Sequence, residues 1–307
     1  MSAPEKLRAL AASARIANIP SVVSNVVVGI TLAVAAGADL SRSAGRLGLV
    51  IAGASLYLAG NFLNDWADRA WDASHRPERA LPSGVFPPGL YLSLALAFGL
   101  LGLGLAAAVN GRCVTLAAMI GFLIVLYTAI HKHTAWSVIP MGLCRALLPA
   151  LGFSGLTDIG KTEFAPIFFT APVAVIACGF GLFCHIAGLS LSARYESGDP
   201  VSRGPALFAG CLFPLAALSM LVASMGKYLN VALLAYGVWI AFCLTVFRKP
   251  VSRQVSNLLA GIPLLDWIAV LPLAMSCGGW WSAGMLVWIP PLAFIACKLL
   301  QRLAPAT

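Results

Sequence analysis

Runs of about 20 apolar residues, the length an α-helix needs to cross roughly 30 Å of hydrocarbon, recur from one end of the chain to the other. Ten are readable, near residues 18–37, 45–63, 88–109, 113–130, 136–155, 165–191, 205–225, 228–247, 257–276 and 281–300. They predict an all-α fold, a polytopic transmembrane helical bundle in which residues 1–307 form a single domain. Pro263, Pro272, Pro290 and Pro291 interrupt the last two runs and leave nine helices as the alternative to ten. No low-complexity linker or soluble-type segment breaks the series.

Composition agrees with that pattern. Hydrophobic residues make up 60% of the chain and charged residues only 10%, against about 25% charged in a soluble domain. Of the 20 Lys and Arg residues, Arg145 lies inside a run, and the rest fall unevenly between alternate loops. Lys6, Arg8, Arg15, Arg69, Arg76, Arg79, Lys132, Arg194, Arg203, Arg248, Lys249, Arg253, Lys298 and Arg302 share one side. Arg42, Arg46, Arg112, Lys161 and Lys227 lie on the other. Positive loops favour the cytoplasm, so the N-terminus is expected there, in a bacterial inner (plasma) membrane. Met1 to Arg15 carries no signal-peptide pattern, and the first helix is expected to stay in the membrane. A net charge of +9 follows from basic loops facing anionic lipid. Membrane lipid is therefore the expected partner, and no nucleic acid is. The eight cysteines show no metal-type spacing and read as small core residues.

One stretch departs from this apolar background: "NDWADRAWDASHRPERALPSG", residues 64–84. Asn61, Asp65, Asp68 and Asp72 are spaced by four, three and four, which places them on one helical face. Three carboxylates there repel one another unless a cation sits among them. Hard oxygen ligands of this kind suit Mg²⁺, which keeps several waters and is completed by substrate phosphate oxygens. The alternative is a solvated helix end whose aspartates pair with Arg69, Arg76 and Arg79.

At these residues the chain resembles the UbiA superfamily of intramembrane prenyltransferases. The first aspartate-rich motif of that superfamily, NDxxDxxxD, stands complete as Asn64, Asp65, Asp68 and Asp72, and "HRPERALPSG" is similar to its continuation. "ARIANIPS" and "YTAIHKH" extend the likeness. The resemblance implies a bundle with a central cavity open to lipid and polar at its cytoplasmic end. It also implies Mg²⁺-dependent transfer of a prenyl group from a prenyl diphosphate donor to an aromatic or lipophilic acceptor. Asp65, Asp68 and Asp72 would hold the metal, Asn61 and Asn64 would orient ligands, and Arg76 and Arg79 would contact diphosphate, as would Lys132 unless it is an ordinary positive-inside lysine. His131 and His133 read as solvated loop histidines.

A second aspartate-rich motif belongs to this superfamily, after its sixth span, and here the chain departs from it. "HIAGLSLSARYESGDP" offers only Glu196 and Asp199 as acids for a second metal, with Arg194 and Tyr195 beside them as substrate contacts. The more membrane-buried acidic position is filled by Gly188 or a neighbour. His185 is a candidate ligand from within the sixth span, against the blander role of a hydrogen-bonded core residue. "MGLCRAL" and "SLSARYE" are similar to EboC-type members. Inside spans, where ionisable groups are costly, Arg145 is expected to reach substrate phosphates or to pair with Asp266, and Asn25 reads as a helix–helix hydrogen bond. A non-catalytic or degenerate lipid carrier is the competing function. The DGxxAR-type pattern of CDP-alcohol phosphotransferases is absent.

Overall fold

The computed structural model describes residues 2–36, 38, 43–156, 173–196, 203–224, 231–276 and 284–304. Among these it contains helices and no strand. In chain order the helices are α1 Ala3–Ser13, α2 Ile19–Ala35, α3 Ser43–His75, α4 Pro88–Ala107, α5 Gly111–Ile130, α6 Val138–Ser154 and α7 Val173–Glu196. They continue as α8 Arg203–Ala223, α9 Val231–Leu244, α10 Val251–Ala260, α11 Ile262–Ser276, α12 Gly284–Val287 and α13 Ile289–Leu300.

Within the described residues the first eight apolar runs each fall on one helix and the last two each fall across two. Among the described residues seven helical segments are long and apolar enough to cross a membrane, and Phe208–Ala223, Val231–Leu244 and Ile289–Leu300 are shorter apolar helices. The prolines flagged near the C-terminal end divide runs rather than abolish them. Pro263 sits just after the break between α10 and α11, and Pro290 lies in the first turn of α13, where a missing N–H costs nothing.

Burial arranges the helices from centre to edge. In Ile16–Ala35, 78% of the apolar window is buried, against 22% in each of α4 and α5. Helix α2 is therefore an axis, packed by α6, α3, α11 and α13. Helices α4 and α5 present Leu96, Leu100, Phe122 and Val125 outward, an apolar exposure that suits lipid and not water. Transmembrane helices gain little from hydrophobic burial against one another and rely on close packing of small residues. The α2–α6 crossing shows this, because a β-carbon at Gly29 would overlap the Pro149 carbonyl and one at Gly152 would overlap the Val26 carbonyl.

The same logic explains the missing acid at Gly188. A β-carbon there would lie 3.0 Å from the Ala209 carbonyl oxygen and 3.2 Å from Leu212 Cβ, so a larger side chain would have to push the close α7–α8 crossing apart by a few tenths of an ångström. His185, one turn earlier, is a core residue and not a ligand. It is fully buried, its Nε2 lies 3.0 Å from the Leu258 carbonyl, and its Nδ1 lies 2.9 Å from the Tyr236 hydroxyl. A carbonyl only accepts, so Nε2 carries the proton and Nδ1 accepts from Tyr236. Both nitrogens are thereby used.

At 33 residues α3 is the longest helix. At 1.5 Å per residue it extends about 50 Å, beyond the roughly 30 Å of hydrocarbon. The helical period continues through the aspartate stretch to His75, so the four polar positions share one face of a rigid element.

Close packing at the α2–α6 crossing gives a direct test. Gly152→Ala should lower the melting temperature in detergent, at a cost of about 1–3 kcal/mol from overpacking. Gly237→Ala, at a position with nothing within 4 Å of an added β-carbon, should leave it unchanged or slightly raised.

Candidate active site

The site grows from the polar end of α3. Asp65, Asp68 and Asp72 are 7%, 6% and 2% exposed, which an apolar bundle tolerates only if each charge is matched. Each one is matched, by cations from three other parts of the chain.

Arg15 comes from the corner between α1 and α2. Its Nη2 donates to Asp65 Oδ1 at 3.0 Å and its Nη1 to Asn61 Oδ1 at 3.1 Å, while Asn61 Nδ2 donates to the Ala14 carbonyl at 2.9 Å. To reach that position Arg15 adopts φ 48° and ψ 47°, a left-handed conformation that costs a residue with a β-carbon roughly 1–2 kcal/mol. Burial opposes the Arg15 charge, but Asp65, with smaller help from Tyr57 and Tyr127, raises its pKa above the ordinary value.

Arg79 comes from the turn that follows α3. It lies 2.8 Å from Asp72 Oδ2 and 3.9 Å from Asp65 Oδ1, bridging two carboxylates a helical repeat apart. The loop folds back because Leu81 is buried near Phe62 and Tyr91. Gly84 supplies the positive φ of 74° that closes the turn.

The end of α5 provides the third contribution. His131 Nε2 and Lys132 Nζ lie 3.0 and 3.2 Å from the same oxygen, Asp68 Oδ2. Lys132 also sits 3.6 Å above the Trp71 ring, and His131 stacks on Tyr127. Asn64 Nδ2 donates to Asp68 Oδ2 at 3.3 Å.

The sequence expectations for the basic residues around the aspartates need correction. The aspartates share a face and are buried, yet among the described residues no group of three His, Cys, Asp or Glu side chains is spaced to hold a metal ion. Basic side chains stand between the carboxylates instead. Of the three arginines considered as simple partners only Arg79 serves. Arg69 turns to the Trp66 carbonyl, and Arg76 is exposed and enters no ion pair among the described residues. His131 is not a solvated loop residue. Arg15 and His131 are the members that sequence reasoning missed; the only signal was their place inside "ARIANIPS" and "YTAIHKH". Helix α7 reaches Glu196, but the side chains of Arg194, Tyr195 and Glu196, and all of Asp199, lie outside the described residues.

The donor set nonetheless fits a hard cation. Asp72 Oδ1 and Asn64 Oδ1 are buried without a hydrogen-bond partner among the described residues, and every acidic group is an oxygen donor. One or two carboxylates completed by water and phosphate is the usual Mg²⁺ arrangement, rather than an all-protein cage.

Deeper in the bundle, Arg145 Nη1 donates to Ser21 Oγ at 3.1 Å and to Asn25 Oδ1 at 3.0 Å. Asp266 Oδ2 accepts from Ser24 at 2.5 Å and from Asn25 at 2.8 Å. The expected Arg145–Asp266 pair is thus divided by the Asn25 amide. A separate apolar groove of about 590 Å³, lined by Val231, Leu234, Val238, Trp239, Phe242 and Phe294 among others, contains none of these residues.

A family model described as the UbiA prenyltransferase family matches residues 22–255. A curated digeranylgeranylglyceryl phosphate synthase of Methanopyrus kandleri is 36% identical over 128 residues, covering 42% of this chain and 45% of the relative. One of Methanothrix thermoacetophila is 37% identical over 70 residues, covering 23% of this chain and 26% of the relative. The matched stretches thus span less than half the length of either relative. Among solved structures, a UbiA homolog from Aeropyrum pernix K1 gives a TM-score of 0.65 at 14% identity, covering 83% of this chain and 97% of that one. A UbiA homolog from Archaeoglobus fulgidus bound to GPP and Mg²⁺ gives 0.51 at 16%, covering 95% and 99%.

The strained corner at Arg15 yields a three-way comparison of melting temperatures. Arg15→Ala should lose the ion pair and keep the left-handed strain, whereas Arg15→Gly should lose the pair but relieve about 1–2 kcal/mol of that strain. Wild type should melt highest and Ala lowest; an Ala variant as stable as wild type would show that the Asp65 pair contributes nothing to the corner.

Proposed function

Because the chain belongs to the UbiA prenyltransferase family and is an integral multi-pass membrane protein, we propose that it transfers a prenyl group from a prenyl diphosphate to a lipophilic acceptor within the membrane. The observation that carries this reading is the buried aspartate face of α3, opposed by Arg15, Arg79 and Lys132. Such a face offers both carboxylates for a hard cation and displaceable basic groups for phosphate oxygens.

In this reading Asp65, Asp68 and Asp72 hold Mg²⁺, with Asn64 and Asn61 orienting the acidic groups. Bound Mg²⁺ supplies neutralisation of the charge that develops on the departing diphosphate. Arg79 and Lys132 move from carboxylate to phosphate oxygens and add to the same electrostatic stabilisation, with the exposed Arg76 at the rim. The bond from the allylic carbon to oxygen breaks, and its electron pair leaves with the diphosphate. An electron pair of the acceptor forms the new bond, and the acceptor gives up a proton. Apolar walls from the surrounding helices keep water from the cationic carbon. Arg194, Tyr195, Glu196 and Asp199 are proposed, on sequence alone, to complete the mouth at the end of α7.

The curated relatives are named for a glyceryl phosphate product. Their names support a phosphate-bearing glyceryl lipid as acceptor over the aromatic ring that the sequence suggested. The basic loops support placing the N-terminus and the aspartate mouth on the cytoplasmic side of a plasma membrane.

Asp65→Asn and Asp68→Asn each keep side-chain volume while removing a charge. Each should reduce Mg²⁺-dependent release of diphosphate from a prenyl diphosphate by at least about 100-fold, the scale expected for lost electrostatic stabilisation. Both proteins should elute as folded protein in detergent. Wild-type turnover by either variant would remove the metal assignment, and an inactive wild type would favour a lipid carrier.

A further inference from the structure

Trp71 carries a large apolar ring at the polar end of α3, one position before Asp72. It is 39% exposed, so burial is not what places it. Two polar side chains cover the ring instead. His75 stacks on it with centroids 4.0 Å apart and planes 2° apart, and Lys132 Nζ stands 3.6 Å from the ring centre.

Among the described residues Lys132 has two contacts, the Asp68 carboxylate at 3.2 Å and the Trp71 ring. Asp68 and Trp71 are three positions apart on α3, so they are neighbours on the helix surface, and one ammonium reaches both. Asp68 Oδ2 is crowded. It also accepts from Asn64 Nδ2 at 3.3 Å and lies 3.0 Å from His131 Nε2. A carboxylate oxygen that turns to a metal ion gives up such donors. His131 then keeps the Tyr127 ring, on which it stacks, and the Thr128 carbonyl, 3.1 Å from its Nδ1. Lys132 keeps Trp71 alone.

That difference matters because an ammonium is strongly hydrated and sits on a flexible four-carbon stem. Released from its carboxylate, it disperses into water unless a second contact retains it. A Trp face attracts a cation more strongly than any other side-chain ring. Resting on the prenyl-transfer reading above, we propose that Trp71 is a positioning residue of the donor site, a perch that keeps Lys132 at the mouth once Asp68 has released it. The ammonium is then in place to meet a phosphate oxygen of the incoming diphosphate. The ring acts through Lys132 and takes no part in the chemistry. The competing role for an exposed tryptophan at the end of a span is that of an interfacial anchor, and an anchor does not depend on Lys132.

Calorimetric binding to the full-length protein in nanodiscs tests this without turnover. The ligands are geranylgeranyl diphosphate with Mg²⁺ and, lacking the prenyl chain, pyrophosphate with Mg²⁺. Trp71→Leu should weaken the binding of both by about fivefold to tenfold, the scale of one cation–π contact. Lys132→Met should weaken it at least as much. In the double variant the loss should match that of Lys132→Met alone to within about twofold, because ring and ammonium act as a unit. Trp71→Phe keeps an aromatic face and should stay within about threefold of wild type. Unchanged affinity in Trp71→Leu, losses that multiply in the double variant as an anchor predicts, or a Trp71→Phe as weak as Trp71→Leu would each overturn the proposal. A wild type that binds pyrophosphate with this Trp71 dependence but does not bind geranylgeranyl diphosphate would overturn the prenyl-transfer reading and leave the perch standing. Binding of neither ligand would overturn both.

Discussion

Charge balance in a dry bundle is the constraint from which the rest of the site follows. Three carboxylates on one face of α3, each under a tenth exposed, cannot persist unopposed, because transferring an unpaired charge out of water costs several kcal/mol. The chain answers by drawing in cations from distant segments: Arg15 from before α2, Arg79 from beyond α3, and Lys132 with His131 from the end of α5. These contacts explain the left-handed Arg15, the fold-back of the loop around Gly84, and the seating of Lys132 on Trp71. Structure near the mouth is thus organised by the same charges that a phosphate-bearing substrate would engage.

Rigidity complements that balance. A single 33-residue helix carries the whole aspartate face, so the acids keep a fixed register while their counterions sit on shorter, separately anchored pieces. In the proposed function, exchange of a basic side chain from carboxylate to phosphate would require movement of Arg79 or Lys132, not of α3. At the bundle's centre, Gly29 and Gly152 bring α2 and α6 together with no side chain between them, and this holds Ser21, Asn25 and Arg145 at hydrogen-bond range.

The local parts of this architecture were legible in the sequence. Apolar runs announced the helices, because lipid imposes a length and a composition that survive in one dimension. The spacing of Asn61, Asp65, Asp68 and Asp72 announced a single polar face, because α-helical periodicity is equally local. Contacts between distant segments were not legible. Arg15 meets Asp65 across 50 positions and His131 meets Asp68 across 63, and no spacing rule links them. Asp266 and Arg145 looked like natural partners, and only the packing of α2 shows Asn25 inserted between them. Nor was the close approach of α8 to Gly188 legible, since it depends on residues more than 20 positions away.

Calorimetric titration of the purified protein with geranylgeranyl diphosphate, in the presence and absence of Mg²⁺, tests most directly whether the α3 face is a metal-dependent diphosphate site. With its carboxylates engaged only by the chain's own basic groups, the protein should bind the diphosphate weakly without Mg²⁺ and at least about tenfold more tightly with it, a gain of 1.4 kcal/mol or more. Equal binding in both conditions, or none in either, would contradict the claim that these aspartates exist to hold a metal–diphosphate complex.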